Sequence, residues 1–186
     1  MSQQQARTVR TTGRIEQLNV SPGGVPKRAV SEAVVNEYGL TRDRQRDRRH
    51  HGGTERAVCL FSAEILDGLR ADGHQIGPGA TGENVTIRGI DWKKLVPGSR
   101  IHLGEQVIVE VTSYAAPCRI ISHCFNDGDF NVINQATHPG RSRLYARVVR
   151  QGTMYPGDDV SLEIDSAADR GARLQPKTTR WRPPAS

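Results

Sequence analysis

Hydrophobic and polar residues alternate over short distances along this chain. The clearest case is segment 106–112, where Val107, Val109 and Val111 fall on one side and the intervening residues on the other. A period of two is typical of a strand with one buried face. Short hydrophobic runs bounded by turn residues predict further strands at 14–20, 29–35, 57–61, 85–87, 99–103, 144–150 and 160–164.

One segment has helical spacing instead. Ile65, Leu66 and Leu69 share a helical face, and Ser62 precedes them with the side chain of an N-cap. Gly73 is placed to end the helix, because glycine readily adopts the left-handed conformation found there. The spacing therefore predicts one clear helix directly after the strand at 57–61.

Together these elements predict a mainly β fold, an antiparallel barrel or sandwich with few short helices. Seven or eight short strands follow one another closely, without the regular strand–helix alternation of a parallel sheet. Beyond the main helix, the pattern predicts only a helical turn at 91–95 and a weak helix within 124–138.

Composition changes this picture mainly at the two ends. The chain has 186 residues and only 35% hydrophobic residues, which suits one domain with disordered tails. The polar, aperiodic ends predict a disordered basic arm at 1–13 and a disordered basic tail at 166–186, around a domain at 14–165.

The net charge of +6 belongs to those ends. Segment 15–165 contains 18 basic and 19 acidic residues, so the predicted domain is almost neutral. A nucleic-acid-binding domain carries its basic excess on the folded surface. We therefore expect no specific nucleic-acid partner, although basic arms could touch phosphates without sequence preference.

Other global features favour a cytoplasmic protein. No apolar run approaches the roughly 20 residues of a membrane-spanning helix, and residues 1–5 lack the basic and apolar regions of a secretory signal. The chain has 3 cysteines, an odd number that argues against a disulfide framework.

The three cysteines differ in their surroundings. Cys59 lies within an apolar strand and is expected to pack as a small hydrophobic residue. Cys118 follows Pro117 at the end of the strongest strand and precedes Arg119, a cation that favours a reactive thiolate. Local sequence leaves a structural role for Cys118 equally open. Cys124 completes a Cys-x4-His-Cys spacing that is unusual for zinc.

Two glycine-containing segments could approach an anion. An arginine-rich run at 42–49 leads into His50-His51-Gly52-Gly53, and a second glycine-rich loop covers 79–84. Backbone amides in such loops can point together at an anion. The alternative interpretation is a pair of solvated loops, and neither matches a phosphate-loop or dinucleotide-binding pattern.

The order of these pieces is more specific than any one of them. In sequence they are Gly39-Leu40-x-x-Asp43, His51-Gly52-Gly53-x-x-x-Ala57-Val58, Gly79-x-x-Gly82-Glu83-Asn84, Gly89-Ile90-Asp91 and Pro117-Cys118. This order resembles a MOSC domain, the C-terminal domain of molybdenum cofactor sulfurase, over residues 14–165. It is particularly similar to small stand-alone bacterial members related to N-hydroxylaminopurine-resistance proteins.

The resemblance implies a barrel-like β fold and a functional role for Cys118. In amidoxime-reducing relatives the matching cysteine is the protein ligand to molybdenum, whose other sulfur ligands come from a pterin. Soft thiolate ligation suits that metal. By the same resemblance, contacts to the molybdenum cofactor are expected from Lys27, Asp43, Arg44, His51, Gly52, Gly53, Glu83 and Asn84.

The implied activity is reduction of a small N-hydroxylated substrate, a hydroxylaminopurine or an amidoxime, at a cysteine-ligated molybdenum. Electrons would come from a partner reductase, because 3 cysteines without cluster spacing cannot hold a ferredoxin-type centre. The alternative is a persulfide carrier or cofactor-delivery module that works with a sulfur-transfer protein and turns over no substrate. Pyridoxal phosphate is not expected, since no lysine stands out as a Schiff-base residue.

Overall fold

The computed structural model describes residues 8–44 and 53–164, with side chains described for residues 13–44 and 53–163. The arginine-rich run beyond Arg44, together with His51 and Gly52, lies outside the described residues, as do residues 1–7 and 165–186. The strands are β1 (Thr8–Val20), β2 (Arg28–Val30), β3 (Ala33–Asn36), β4 (Gly39–Leu40), β5 (Val58–Ser62), β6 (Val85–Arg88), β7 (Arg100–Leu103), β8 (Val107–Ala115), β9 (Arg143–Arg150), β10 (Gly152–Met154) and β11 (Asp159–Ile164).

Seven of these strands form a closed barrel, which confirms the predicted mainly β class. Their order is β11-β7-β8-β9-β5-β6-β1, and pairing of β1 with β11 closes the ring. β1 begins at Thr8, inside the segment for which composition predicts disorder, and Thr8 pairs with Ile164. Strand β1 thus extends six residues before the predicted domain start at residue 14, because the strand that pairs with residues 8–13 lies near the other end of the sequence.

One strand pair departs from the antiparallel expectation. β5 and β6 are parallel and are joined through helix α1 (Ala63–Ala71). A parallel connection needs a crossover, and a helix commonly supplies it. The predicted N-cap is confirmed, because the Ser62 hydroxyl accepts a hydrogen bond from the Ile65 amide at 3.3 Å.

A second, three-stranded sheet consists of β10, β3 and β4. The single strand predicted at 29–35 is divided between the two sheets, because β2 pairs with β1 whereas β3 pairs with β10. The short β4 and β10 were not predicted. Their strand conformation depends on partners that are distant in sequence.

The barrel interior contains the residues that alternation assigned to it. Val107, Val109 and Val111 of β8 are all buried, which confirms the predicted face. Instead of a weak helix at 124–138, residues 119–133 form three 3-10 segments, Arg119–Cys124, Asn126–Gly128 and Phe130–Ile133. No helix in the described part of the chain is long and apolar enough to cross a membrane.

A substitution at Gly13 tests how closely β1 approaches the Arg88 carbonyl of β6. Gly13 lies at an irregularity in the β1–β11 register, and a Cβ there would stand 2.1 Å from the Arg88 carbonyl oxygen. We expect Gly13→Ala to lower the free energy of unfolding by about 1–3 kcal/mol through overpacking. Urea unfolding monitored by circular dichroism measures this.

Gly68→Ala is the matched control. Gly68 lies in α1, and no atom stands within 4 Å of the position that a Cβ would take there. Alanine is favoured over glycine in a helix by about 0.8–1 kcal/mol, so this variant should be as stable as the wild type or more stable. A Gly13→Ala protein as stable as Gly68→Ala would contradict the close approach.

Candidate functional site

A cavity of about 390 Å³ adjoins the ends of several barrel strands. Its size lies within the range of about 300–1,000 Å³ that is usual for small-molecule sites. Its walls contain both cysteine and cationic side chains. The lining residues are Gly24, Val25, Lys27, Arg44, Arg56, Cys59, Thr81, Gly82, Asn84, Cys118, Ile120, Ile121, Arg143 and Tyr145.

Strand pairing explains why residues so far apart in sequence meet here. On β8 the last residue, Ala115, pairs with Arg143, and Cys118 follows three residues later. On the other side of β9, Tyr145 pairs with Cys59 of β5. Directly paired residues project from the same face of a sheet, so Cys59 and Tyr145 form one wall of the cavity.

Cys118 has the position that the sequence predicted for a functional thiol. It lies beyond the end of β8, has extended backbone angles of φ −139° and ψ 167°, and is only partly buried. Its carbonyl accepts a hydrogen bond from the Ile121 amide at 3.1 Å, which begins the following 3-10 segment. The thiol therefore lies on a folded turn that faces the cavity.

The other two cysteines have less accessible thiols. Cys59 is buried as predicted yet also lines the cavity, and burial raises the pKa of its thiol to about 11. Cys124 is buried, and its Sγ stands 3.4 Å from His123 Nε2. Burial also raises the pKa of Cys124. In the part of the chain described, no three His, Cys, Asp or Glu side chains cluster as a metal site would require.

Lys27 reaches the cavity through a buried ion pair. Its ammonium contacts Asp43 Oδ2, with 11% of the Lys27 side chain and 3% of the Asp43 side chain exposed. The other carboxylate oxygen of Asp43 accepts a hydrogen bond from the Ser21 amide at 2.8 Å. Asp43 does not line the cavity itself, so its role is to hold Lys27 against the wall.

Asn84 joins this pair to the barrel. Its Nδ2 donates to Asp43 Oδ2 at 2.9 Å and to the Asn19 carbonyl at 3.3 Å, while its Oδ1 accepts from the Cys59 amide at 3.1 Å. Both amide protons of the side chain are thus used within the protein. Asn84 lines the cavity but has only a remaining acceptor lone pair for a ligand.

Glu83 has a different place from the one expected for a cofactor contact. It is fully buried and does not line the cavity. Its carboxylate accepts from the Gly79 amide at 2.5 Å and from the Thr81 hydroxyl at 2.8 Å. These bonds support the 79–84 loop from within the protein, so the Glu83 carboxylate does not face the cavity.

The remaining predicted contacts divide into two groups. Arg44 lines the cavity with an exposed side chain. Gly53 is also exposed and has a positive φ of 86°, but it does not line the cavity. His51 and Gly52 stay predictions, since they lie outside the described residues.

Sequence reasoning missed Arg143, Tyr145 and Arg56 as cavity residues. Arg143 and Tyr145 are two positions apart on β9, so they share a face opposite to that of the buried Leu144. An arginine at the start of a barrel strand was the available signal. Arg56 joins them because its guanidinium carbon lies 5.6 Å from the centre of the Tyr145 ring.

A family model described as the MOSC domain matches residues 47–161. The chain belongs to the MOSC domain family. Among curated relatives, YflK of Bacillus subtilis is 29% identical over 154 residues, which cover 82% of this chain and 67% of YflK. YiiM of Escherichia coli is 26% identical over 180 residues, covering 93% of this chain and 78% of YiiM.

One further relative matches over a shorter region, and one solved structure shares the fold. A Gibberella moniliformis protein named Reductase is 28% identical over 116 residues, which cover 60% of this MOSC domain chain but 20% of that protein. The crystal structure of YiiM from Geobacillus stearothermophilus superposes with a TM-score of 0.63 at 22% identity, covering 82% of this chain and 75% of that one. The family is associated with the molybdenum cofactor.

The different burial of the cysteines predicts different reactivity. We expect iodoacetamide at pH 8 to modify Cys118 at least about tenfold faster than Cys59 or Cys124, because the Cys118 thiol is partly exposed, whereas burial shields the other two thiols and raises their pKa. Peptide mapping by mass spectrometry over a time course measures the rates, with Cys118→Ser as control. Faster labelling of either buried cysteine in folded protein would contradict the geometry.

Glu83 predicts a pH-dependent contribution to stability. Burial raises its pKa above the ordinary 4.5, because desolvation disfavours the charged carboxylate. The folded state therefore binds the proton more tightly than the unfolded state, and stability falls as pH rises through this window. We expect Glu83→Gln to gain unfolding free energy relative to the wild type between pH 4.5 and pH 8.

Urea unfolding at a series of pH values gives that difference. Glu105→Gln, which changes an exposed carboxylate, serves as control and should show a difference independent of pH. A Glu83→Gln difference that is equally flat would show that Glu83 has the same pKa in both states.

Proposed function

We propose that this MOSC domain binds the molybdenum cofactor in the cavity through Cys118 and reduces N-hydroxylated compounds with electrons from a partner protein. The observation that carries the proposal is the partly exposed Cys118 thiol on the wall of a cavity with cationic side chains. Four cations line it, namely Lys27, Arg44, Arg56 and Arg143, and its lining among the described residues contains no carboxylate.

The residues present fit such a cofactor. A thiolate is the soft ligand that molybdenum would take from the protein, and Cys118 can present one at the cavity surface. A pterin phosphate needs hydrogen-bond donors, and the Arg44 guanidinium could supply a charged one. Lys27 could add an N–H donor from its ammonium, whose charge Asp43 balances. The Nε atom of Arg143 is buried and has no hydrogen-bond partner within the described structure, which is further support for a ligand with acceptor oxygens.

When bound, the cofactor would supply a metal that removes the oxygen atom of an N–O group with two electrons and two protons. This chain's own residues would orient the ligand and move protons. Burial raises the pKa of Tyr145 to about 12, so its hydroxyl stays protonated at neutral pH and can donate a hydrogen bond. The Asp43 carboxylate keeps Lys27 in place and neutralises it.

Partners belong to the same proposal. Oxygen removal consumes two electrons, and we propose that a separate reductase delivers them. The similarity to a fungal protein named Reductase supports reductive chemistry, although the matched region is a small part of that protein. A cytoplasmic location and the absence of a specific nucleic-acid partner remain predictions from the sequence.

Metal content tests the ligand assignment. Protein purified from a cofactor-producing host supplied with molybdate should contain molybdenum near one atom per chain, measured by elemental analysis. We expect Cys118→Ser to lose it, because a hydroxyl is a poor ligand for a soft metal site. Cys124→Ser is the matched control, since Cys124 does not line the cavity. Equal metal in all three proteins would remove Cys118 as ligand.

Turnover is a separate readout. The loaded protein with reduced methyl viologen should convert benzamidoxime to benzamidine, and Cys118→Ser should not. A molybdenum-free protein whose non-reducing intact mass shows one added sulfur atom at Cys118 would instead favour the persulfide carrier. The same open thiol supports that second candidate.

A further inference from the structure

Arg143 is a buried cation with an unused donor. Its side chain lines the cavity, and the residue is only 6% exposed. One terminal nitrogen donates to the Thr81 carbonyl and the other stands 3.5 Å from the Ala116 carbonyl. Within the described residues, Nε has no hydrogen-bond partner.

Burying a guanidinium with an unpaired N–H donor costs folding free energy unless a hydrogen-bond acceptor pairs with that donor. A buried charge loses its hydration, and only well-placed partners offset that loss. Two carbonyl oxygens compensate part of the Arg143 charge. Glu83, a buried acid that interacts electrostatically with Arg143, already accepts hydrogen bonds from Gly79 and Thr81. Glu83 does not pair with Arg143 Nε, which has no hydrogen-bond partner among the described residues.

The other three cationic side chains that line the cavity are either ion-paired or exposed to solvent. Lys27 is neutralised by Asp43, and Arg44 and Arg56 are exposed to solvent. Arg143 is therefore the cavity cation, among the described residues, that combines burial with an open donor. A ligand oxyanion would satisfy it without displacing an existing hydrogen bond.

We infer that Arg143 forms an oxyanion subsite in the Cys118 cavity, which binds a phosphate or carboxylate group of a small molecule. The bond from Arg143 to the Ala116 carbonyl ties the guanidinium to the turn that carries Cys118, two residues further on. The subsite and the thiol therefore belong to one wall of the cavity. The inference rests on the cavity being the ligand site of the proposed function, but it requires neither metal nor turnover.

Binding of inorganic phosphate to cofactor-free protein tests this. The protein is produced in a host strain unable to make the pterin and titrated by isothermal calorimetry at low salt. We expect one phosphate per chain, and Arg143→Gln should weaken binding by about tenfold or more, because a charge-assisted hydrogen bond is lost. Arg143→Lys keeps the positive charge but lacks the planar set of donors, so its affinity for phosphate should lie between those of the wild type and Arg143→Gln.

Arg141→Gln is the matched control. Arg141 is exposed, lies two residues before Arg143 and does not line the cavity. The Arg141→Gln variant removes the same charge at a nearby position in the chain, so its affinity for phosphate should stay within about twofold of that of the wild type. Circular dichroism verifies folding of each variant, and Arg143→Lys answers the question should Arg143→Gln not fold.

The same titration on cofactor-loaded protein identifies the source of the oxyanion. Phosphate binding that persists after loading, and still depends on Arg143, assigns the subsite to an anionic substrate. Binding that loading abolishes assigns it to the cofactor phosphate. Either result supports the subsite.

Two results would overturn it. One is the absence of phosphate binding to folded wild-type protein at millimolar concentration, and the other is equal affinity in wild type and Arg143→Gln. Both are obtained without molybdenum, so they leave the metal-content and turnover tests of Cys118 unaffected. Failure of the subsite can thus be told apart from failure of the proposed function.

Discussion

The pairing of β9 with a different strand on each side is the constraint on which the site depends. β9 is antiparallel to β8 on one side and to β5 on the other. The first pairing brings Arg143 beside the end of β8, from which the chain continues to Cys118. The second sets Tyr145 opposite Cys59. A shift of one residue in either register would turn these side chains away from the cavity and bury the wrong face.

Electrostatic compensation differs across the two sides of the cavity. On one side, the Lys27 ammonium pairs with the Asp43 carboxylate, and both amide protons of Asn84 have partners within the protein. These three residues join the loop before β2 to the loop after β4 and to the start of β6. On the other side, Arg143 has one donor left over within the described structure. The first arrangement maintains the fold, whereas the second is completed by a ligand under our inference.

The three thiols differ in burial, and burial affects how readily a thiol reacts. Burial raises the pKa of Cys59 and of Cys124, so both stay protonated and unreactive at neutral pH. Cys118 lies on a turn beyond the barrel, where the thiol is partly open. A single accessible thiol beside cationic side chains is what a soft metal ligand or a sulfur carrier requires. Cys59 also lines the cavity but is buried, so the two cavity thiols differ in accessibility.

The sequence by itself determined the mainly β class, the capped helix α1, the buried face of β8 and the place of Cys118 just beyond the end of a strand, because these follow from local periodicity, capping and turn chemistry. The order of its motifs also indicated the MOSC family. Only the tertiary structure decided that residues 8–13 extend β1, that β5 and β6 are parallel, and that Glu83 supports a loop. It alone placed Arg143, Tyr145 and Arg56 in the cavity. Each of these depends on a partner distant in sequence, and neither hydrophobic period nor residue type encodes which strand will lie opposite which.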